Sequence, residues 1–195
     1  MKKYIYIIML LGGLLTITSC SDWLEVKPKN DQLSDEYWQS KEEVEAVLAS
    51  GYIYLRNLTP NLIKLGELRG GSIYSLSSSD QSLQTFQMRT NDSYAKWETF
   101  YKVINMANSI LDYAPGVRNV DGTYTENAMQ SHLTEAYFLR ALSYFYLVRN
   151  WKEVPLVLKS YVDDSQPFDM PKASEADVIA QIKADIETAL NTGAA

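Results

Sequence analysis

The sequence predicts a mainly α-helical domain, and two observations carry that prediction. Apolar residues recur at steps of three and four in the stretches 44–55, 97–111, 133–148 and 178–190. No run of alternating apolar and polar residues reads as a strand. The helices come as antiparallel pairs of similar length joined by turns, which suggests a tetratricopeptide-like stack with irregular spacing between pairs.

The first helix is expected over 41–56. Ser40 with Glu43 three residues later forms a capping box, and Val44, Val47, Leu48, Gly51, Tyr52 and Leu55 follow at helical spacing. Gly51 either weakens this helix or marks the close approach of a neighbour. Residues 57–93 lose the period. Apart from a short helix over 60–68, the glycines 66, 70 and 71, the run Ser77-Ser78-Ser79-Asp80 and Asn91-Asp92-Ser93 predict a long loop. Such loops are uncommon in compact domains and are often functional.

Periodicity returns at Trp97 and continues through Phe100, Tyr101, Ile104, Ala107, Asn108 and Leu111. Pro115-Gly116 is expected to stop that helix. A turn-rich connection over 116–125 centres on Asp121-Gly122. The next helix, over 131–149, carries two apolar stripes: Leu133, Ala136, Tyr137, Ala141, Tyr144 and Val148, then Phe138, Leu142, Phe145 and Tyr146. A helix apolar on two sides is packed between neighbours. It should end before Trp151, and Val154-Pro155-Leu156 cannot continue it. After a loop over 159–173, Ser174 caps a last amphipathic helix with Asp177 three residues on, its stripe being Val178, Ile179, Ile182, Ile186, Ala189 and Leu190.

The N-terminus addresses the protein. Lys2 and Lys3 precede an apolar run from Ile5 to Leu15, which closes on Ile17-Thr18-Ser19-Cys20. That is the layout of an export signal, too short for a comfortable membrane span. The residues before Cys20 resemble a bacterial lipobox, which implies acylation of Cys20 after removal of residues 1–19. An ordinary signal peptide containing a Cys is the other reading. Acyl chains contribute about 0.8 kcal/mol per buried CH₂, and several together hold a protein on a bilayer. Residues 20–35 then read as a lipid-anchored tether, and 36–195 as the helical domain.

Composition excludes several chemistries. Cys20 is the single cysteine, so disulfides and CxxC zinc sites are ruled out. His132 is the single histidine, which argues against an imidazole zinc site and leaves a Ser-His-Asp triad only if His132 supplies it. The formal charge is −6, and loss of Lys2 and Lys3 makes it more negative. An acidic surface repels phosphate backbones and argues against a nucleic-acid partner. No cofactor is expected.

The loop 66–94 holds the ligand candidates. A pyranose has an apolar face and a rim of hydroxyls, so its site needs aromatic platforms and planar hydrogen-bonding groups. Tyr74, Phe86 and Tyr94 can supply faces; Arg69, Asp80, Gln87 and Arg89 can supply the rim. The alternative is a plain surface loop. Trp97 and Tyr101 can stack on sugars too, but their spacing with Ile104 favours the core. Asn108 is expected to satisfy buried backbone groups, Arg140 to hold carbonyls or a carboxylate between helices, and His132 to be solvated. Asp163-Asp164 are adjacent loop carboxylates and give no reason to expect the spaced pair of a glycosidase.

Glu135-Ala136-Tyr137-Phe138-Leu139-Arg140-Ala141-Leu142-Ser143-Tyr144-Phe145, Leu147-Val148-Arg149-Asn150-Trp151 and Val154-Pro155-Leu156-Val157 resemble the signature helix and exit loop of SusD-like (RagB/SusD) proteins. Trp97, Tyr101, Ile104, Ala107 and Asn108 are similar to that family's upstream helix. Pro171-Lys172-Ala173-Ser174 with Val178, Ile182, Asp185, Ile186 and Ala189 is similar to its downstream segment, and the lipobox with Asp22-Trp23-Leu24 fits its start. The resemblance implies a palmitoylated outer-membrane lipoprotein facing the cell exterior. Such a protein binds a glycan or other nutrient, has no catalytic residues, and serves as a lid on a SusC-type TonB-dependent transporter. It also implies a truncated chain, because family members are usually more than twice as long and carry a large C-terminal part. A helical-repeat scaffold that contacts only other proteins is the alternative function; a lipid-anchored hydrolase is a third, without a persuasive acid pair.

Overall fold

The computed structural model describes residues 37–161 and 169–193. The signal segment 1–19, Cys20, the tether 20–35 and the Asp163-Asp164 pair lie outside these residues. Helix α1 spans Lys41–Ile63. The Glu43 carboxylate accepts the Ser40 N–H at 2.8 Å and the Gln39 N–H at 2.6 Å, so the capping box closes the first turn.

The helix does not stop near residue 56. It runs through Pro60 to Ile63 and passes directly into a π-type turn, Lys64–Leu68. The expected short helix over 60–68 is thus the end of α1. Proline removes one hydrogen bond, yet Leu58 ahead of it and Leu65 and Leu68 beyond it are buried, so packing holds the chain helical. Gly71, at φ +79°, then ends the run, with its N–H donating to the Leu68 carbonyl at 3.2 Å. Gly51 marks a close crossing: a Cβ placed there would lie 3.2 Å from Leu139 Cδ1 and 3.6 Å from Met106 Cβ.

Between α1 and the next long helix lie a 3₁₀ turn (Ser78–Asp80), the short helix α2 (Gln81–Gln84) and a second 3₁₀ turn (Ser93–Ala95). Helix α3 spans Glu98–Val120 and passes Pro115 without a break. Pro115-Gly116 does not stop it because Ala114 and Val117 are fully buried and fix the last turns against the core. The connection shrinks to a tight turn in which Asp121 Oδ1 accepts the Thr123 N–H at 2.8 Å. Asp121 Oδ2 reaches back to accept the Lys41 N–H at 2.9 Å, so this turn also caps α1.

Helix α4 spans Glu126–Trp151, capped by Thr125, whose hydroxyl accepts the Ala128 N–H at 3.3 Å. It starts five residues earlier than expected and includes Trp151 rather than ending before it; Lys152, at φ +64°, turns the chain out. Val154–Pro155 (β1) pairs antiparallel with Lys172–Ala173 (β2), Val154 opposite Ala173. Helix α5, Glu175–Thr192, is capped by the Ser174 hydroxyl, which accepts the Asp177 N–H at 3.2 Å.

Successive long helices pack on one another: α1 on α3, α3 on α4, α4 on α5. The main core lies where α1, α3 and α4 meet, around Leu48, Leu58, Ile104, Ala107, Leu139 and Leu147. Helix α4 is the two-sided element expected, but Phe138 and Phe145 of its second stripe remain 51% and 46% exposed. A buried polar network crosses three helices. Arg140 of α4 donates to both carboxylate oxygens of Asp185 on α5, from Nε at 2.8 Å and Nη2 at 2.7 Å. Its Nη1 donates to Asn108 Oδ1 at 2.8 Å, and Asn108 Nδ2 donates to the carbonyls of Val157 and Lys159, both at 3.0 Å. Arg140 therefore holds a carboxylate, and Asn108 satisfies buried backbone of the exit loop.

His132 is buried rather than solvated. Because α4 begins at Glu126, His132 sits in its second turn; its Nδ1 is 2.8 Å from the Tyr124 hydroxyl and its Nε2 is 3.8 Å from Glu45 of α1.

Candidate functional site

The segment between α1 and α3 is a folded insert with its own small core. Leu65, Leu68, Leu83 and Tyr94 are buried together, with Trp151 of α4 against them. Polar staples fix the chain around this core. Asp80 is buried: its Oδ1 accepts from Lys64 Nζ at 2.6 Å and its Oδ2 from the Ser75 hydroxyl at 2.8 Å. The Lys64 ammonium, with help from Ser75, holds the Asp80 carboxyl below the usual carboxylate range against the opposing effect of burial. The Gln84 carboxamide brackets Ser75, accepting its N–H at 3.1 Å and donating to its carbonyl at 3.0 Å. The Asp92 carboxylate accepts from the Arg89 N–H at 2.8 Å, the Tyr94 hydroxyl at 2.9 Å and the Ser82 hydroxyl at 3.1 Å.

These staples separate the sequence candidates into two layers. Asp80 and Tyr94, expected at the ligand surface, lie buried and hold the shape of the insert. Arg69 is half-buried where the π-type turn ends. Tyr74 is 79% exposed and Phe86 75% exposed, and Gln87 and Arg89 are exposed beside Phe86. The Gln84–Ser75 bracket ties the backbone next to Tyr74 to the side chain of the last residue of α2, two residues before Phe86. Phe86 has φ +58°, in the left-handed region that bulky residues avoid at a cost of about 1–2 kcal/mol. Its N–H donates to the Leu83 carbonyl, and the Gln87 N–H donates to the Ser82 carbonyl at 2.7 Å, so the backbone is held in this conformation while the ring points to solvent.

A cavity of about 570 Å³ opens beside α3, and none of the insert's candidates lines it. Its walls are Tyr54 of α1, Trp97 just ahead of α3, Tyr101 and Asn105 of α3, and Val157 and Tyr161 of the exit loop. Trp97 and Tyr101 are half-buried: one side of each packs on the main core, the other faces the cavity. The Tyr101 hydroxyl donates to the Pro155 carbonyl at 2.6 Å, and burial pushes its pKa well above the ordinary tyrosine value. Tyr54 and Tyr161 were not singled out from the sequence: a tyrosine beside a helical stripe looks the same whether it faces solvent or a cleft, and one in a loop carries no period to place it.

Among the described residues, no three His, Cys, Asp or Glu side chains gather where a metal ion would sit, and no helix is long and apolar enough to cross a membrane.

Residues 22–192 match the family model described as SusD-like, starch-binding associating with outer membrane. The chain belongs to the SusD-like family. A SusD-like protein of Formosa agariphila, P38, is 28% identical over 97% of this SusD-like chain and 38% of its own. A SusD-like protein of Bacteroides ovatus is 28% identical over 91% of this chain and 33% of its own. Among solved structures, a SusD superfamily protein from Bacteroides thetaiotaomicron superposes with a TM-score of 0.71 at 29% identity, covering 80% of this chain and 36% of that one. A structure with xylogluco-oligosaccharide superposes with a TM-score of 0.61 at 27% identity, covering 76% and 29%. The mainly helical SusD-like fold read from the sequence is the fold observed. The chain spans about a third of the length of the curated relatives it matches.

Proposed function

We propose that this SusD-like chain is the helical part of a non-catalytic lipoprotein, anchored through Cys20 to the outer membrane and facing the cell exterior. It captures a nutrient glycan and passes it to a SusC-type TonB-dependent transporter. The observation that carries the glycan reading is the pair of exposed rings, Tyr74 and Phe86, on an insert whose polar staples and private core keep it rigid. A preformed aromatic surface binds a sugar face without first ordering a loop, which spares an entropic cost. Gln87 and Arg89 beside Phe86 supply planar groups for hydroxyls, and Arg69 is the remaining rim candidate. Asp80 and Tyr94 support the surface from beneath. The solved relative with xylogluco-oligosaccharide supports the same ligand class. Lipid attachment would raise the effective concentration of the protein at its transporter.

The test is retention on affinity gels containing xyloglucan, laminarin or starch. The expected result is retardation on at least one gel, reduced about tenfold in apparent affinity by Tyr74→Ala or Phe86→Ala. No retardation of the wild type on any glycan would overturn the glycan reading and leave a scaffold that contacts proteins only; retardation unchanged in both variants would overturn the assignment to Tyr74 and Phe86. Mass spectrometry of the membrane-extracted protein checks the anchor: an unmodified Cys20 would refute it.

A further inference from the structure

The cavity beside α3 differs in chemistry from the surface of the insert. Most of the polar side chains deep in its lining are engaged by the protein itself. The Tyr101 hydroxyl is held by Pro155. Asn105 accepts the Tyr161 N–H at 2.7 Å through Oδ1 and donates to the Tyr161 carbonyl at 3.1 Å through Nδ2, which uses both ends of its carboxamide. The Tyr161 hydroxyl lies 2.7 Å from Met170 Sδ. At the edge, Glu98 and Lys102 pair with each other at 2.6 Å. A pyranose lying between Trp97 and Tyr101 would surrender water from its hydroxyls and find the Tyr101, Asn105 and Tyr161 groups beside it already engaged, which is costly. A flat ring with an apolar perimeter carries no such penalty.

Geometry and charge narrow the occupant further. Trp97 and Tyr101 stand edge to face, with centroids 6.0 Å apart and planes at 86°. Two perpendicular ring walls let a third arene stack on one and meet the other edge-on, both favoured arrangements. Asp169 adds a carboxylate to the lining beyond the Glu98–Lys102 pair, which disfavours an anion. The volume lies within the range that takes small organic ligands. The wall opposite α3 is fixed, because Val157 is held by Asn108 at its carbonyl and by the Tyr144 hydroxyl at its N–H, 2.6 Å away.

We propose that this cavity binds an uncharged aromatic ring, either a free small molecule or an aryl group carried on a larger ligand, at a site separate from the insert. The test is calorimetric or NMR titration of the purified chain with 4-methylphenol, indole, methyl β-glucoside, phenyl β-glucoside and benzoate. The two neutral arenes should bind, while methyl β-glucoside and benzoate should not bind in the cavity at the same concentrations. Phenyl β-glucoside binding there identifies the ring as a substituent; its exclusion while the free arenes bind identifies a free small molecule. Val157→Trp, which fills the cavity, and Tyr54→Ala, which removes a wall, should each weaken arene binding about tenfold or more. Circular dichroism identifies which variants are folded, and either one suffices. A Tyr74→Ala/Phe86→Ala double variant should leave arene binding unchanged, which keeps this site independent of the glycan surface. Absence of arene binding to the folded wild type, arene binding unmoved in the folded cavity variants, or methyl β-glucoside binding that Val157→Trp abolishes would each overturn the proposal.

Discussion

Removing the Asp185 carboxylate should be among the most damaging single changes outside the apolar core. Asp185 is 1% exposed and Arg140 6% exposed, and the two meet through a two-pronged contact at 2.7 and 2.8 Å. In Asp185→Ala the guanidinium keeps its hydrogen bond to Asn108 and the Tyr137 ring 5.5 Å away, but loses the carboxylate that balances its buried charge. Breaking such a pair from one side costs about 3–5 kcal/mol. For a domain of this size that corresponds to a melting temperature lower by roughly 10 °C. The chemical denaturation midpoint, with the slope unchanged, gives the loss directly. The double variant Arg140→Met/Asp185→Leu is the control. It removes both charges, and apolar replacements of such pairs are often neutral, so it should recover most of the stability. A loss below about 1 kcal/mol in Asp185→Ala would refute the reasoning, because it is the size expected of a solvated surface pair. A double variant no better than the single would show that the cost comes from packing and not from the stranded charge.

Other perturbations give outcomes of different sign. Gly51→Leu should cost about 1–3 kcal/mol by forcing α1 away from Leu139 and Met106, read as a lower midpoint in urea. Phe86→Asn should hold or raise stability, since asparagine tolerates the left-handed backbone, while weakening glycan retention about as much as Phe86→Ala; a drop in stability would contradict the exposed ring and strained φ. Burial pushes the His132 pKa below its ordinary value, against the raising effect of Glu45 and Glu135, with Lys41 adding to the depression. The unfolded chain then takes up the proton first as pH falls below about 6.5, so stability should decline with falling pH in that window. His132→Gln should flatten that part of the profile in urea titrations. Asp80, held low by Lys64, contributes stability that is full above the ordinary aspartate pKa and lost as pH falls through its depressed value; Asp80→Asn should remove that acid limb.

The starts of α1 and α5 were legible, and the ends of α1 and α3, past Pro60 and Pro115, were not. Ser40 and Ser174 announce their helices because a side-chain cap is a local interaction, complete within three residues. Pro60 and Pro115 failed as stop signals because the residues around them, Leu58, Leu65, Ala114 and Val117, are buried by partners distant in sequence. Thr125 was missed as a cap, which shifted the start of α4 and put His132 on the wrong side of the solvent boundary. In the insert, residue types alone identified a cluster of aromatic and planar polar side chains but not its layering. Tyr94 is buried by Leu65, Leu68 and Leu83, and no periodicity links those positions. The cavity was invisible because it forms between α1, α3 and the exit loop, and no one of these segments carries its shape.

A segment with a private interior can be re-lettered on its outside without disturbing the frame that carries it. Tyr74, Phe86 and Gln87 can change without loss of the fold beneath them, since the Leu83–Tyr94 kernel and the Lys64–Asp80 clasp keep the foundation standing. Descendants of this chain would therefore differ first in those outward letters, and last in the kernel beneath.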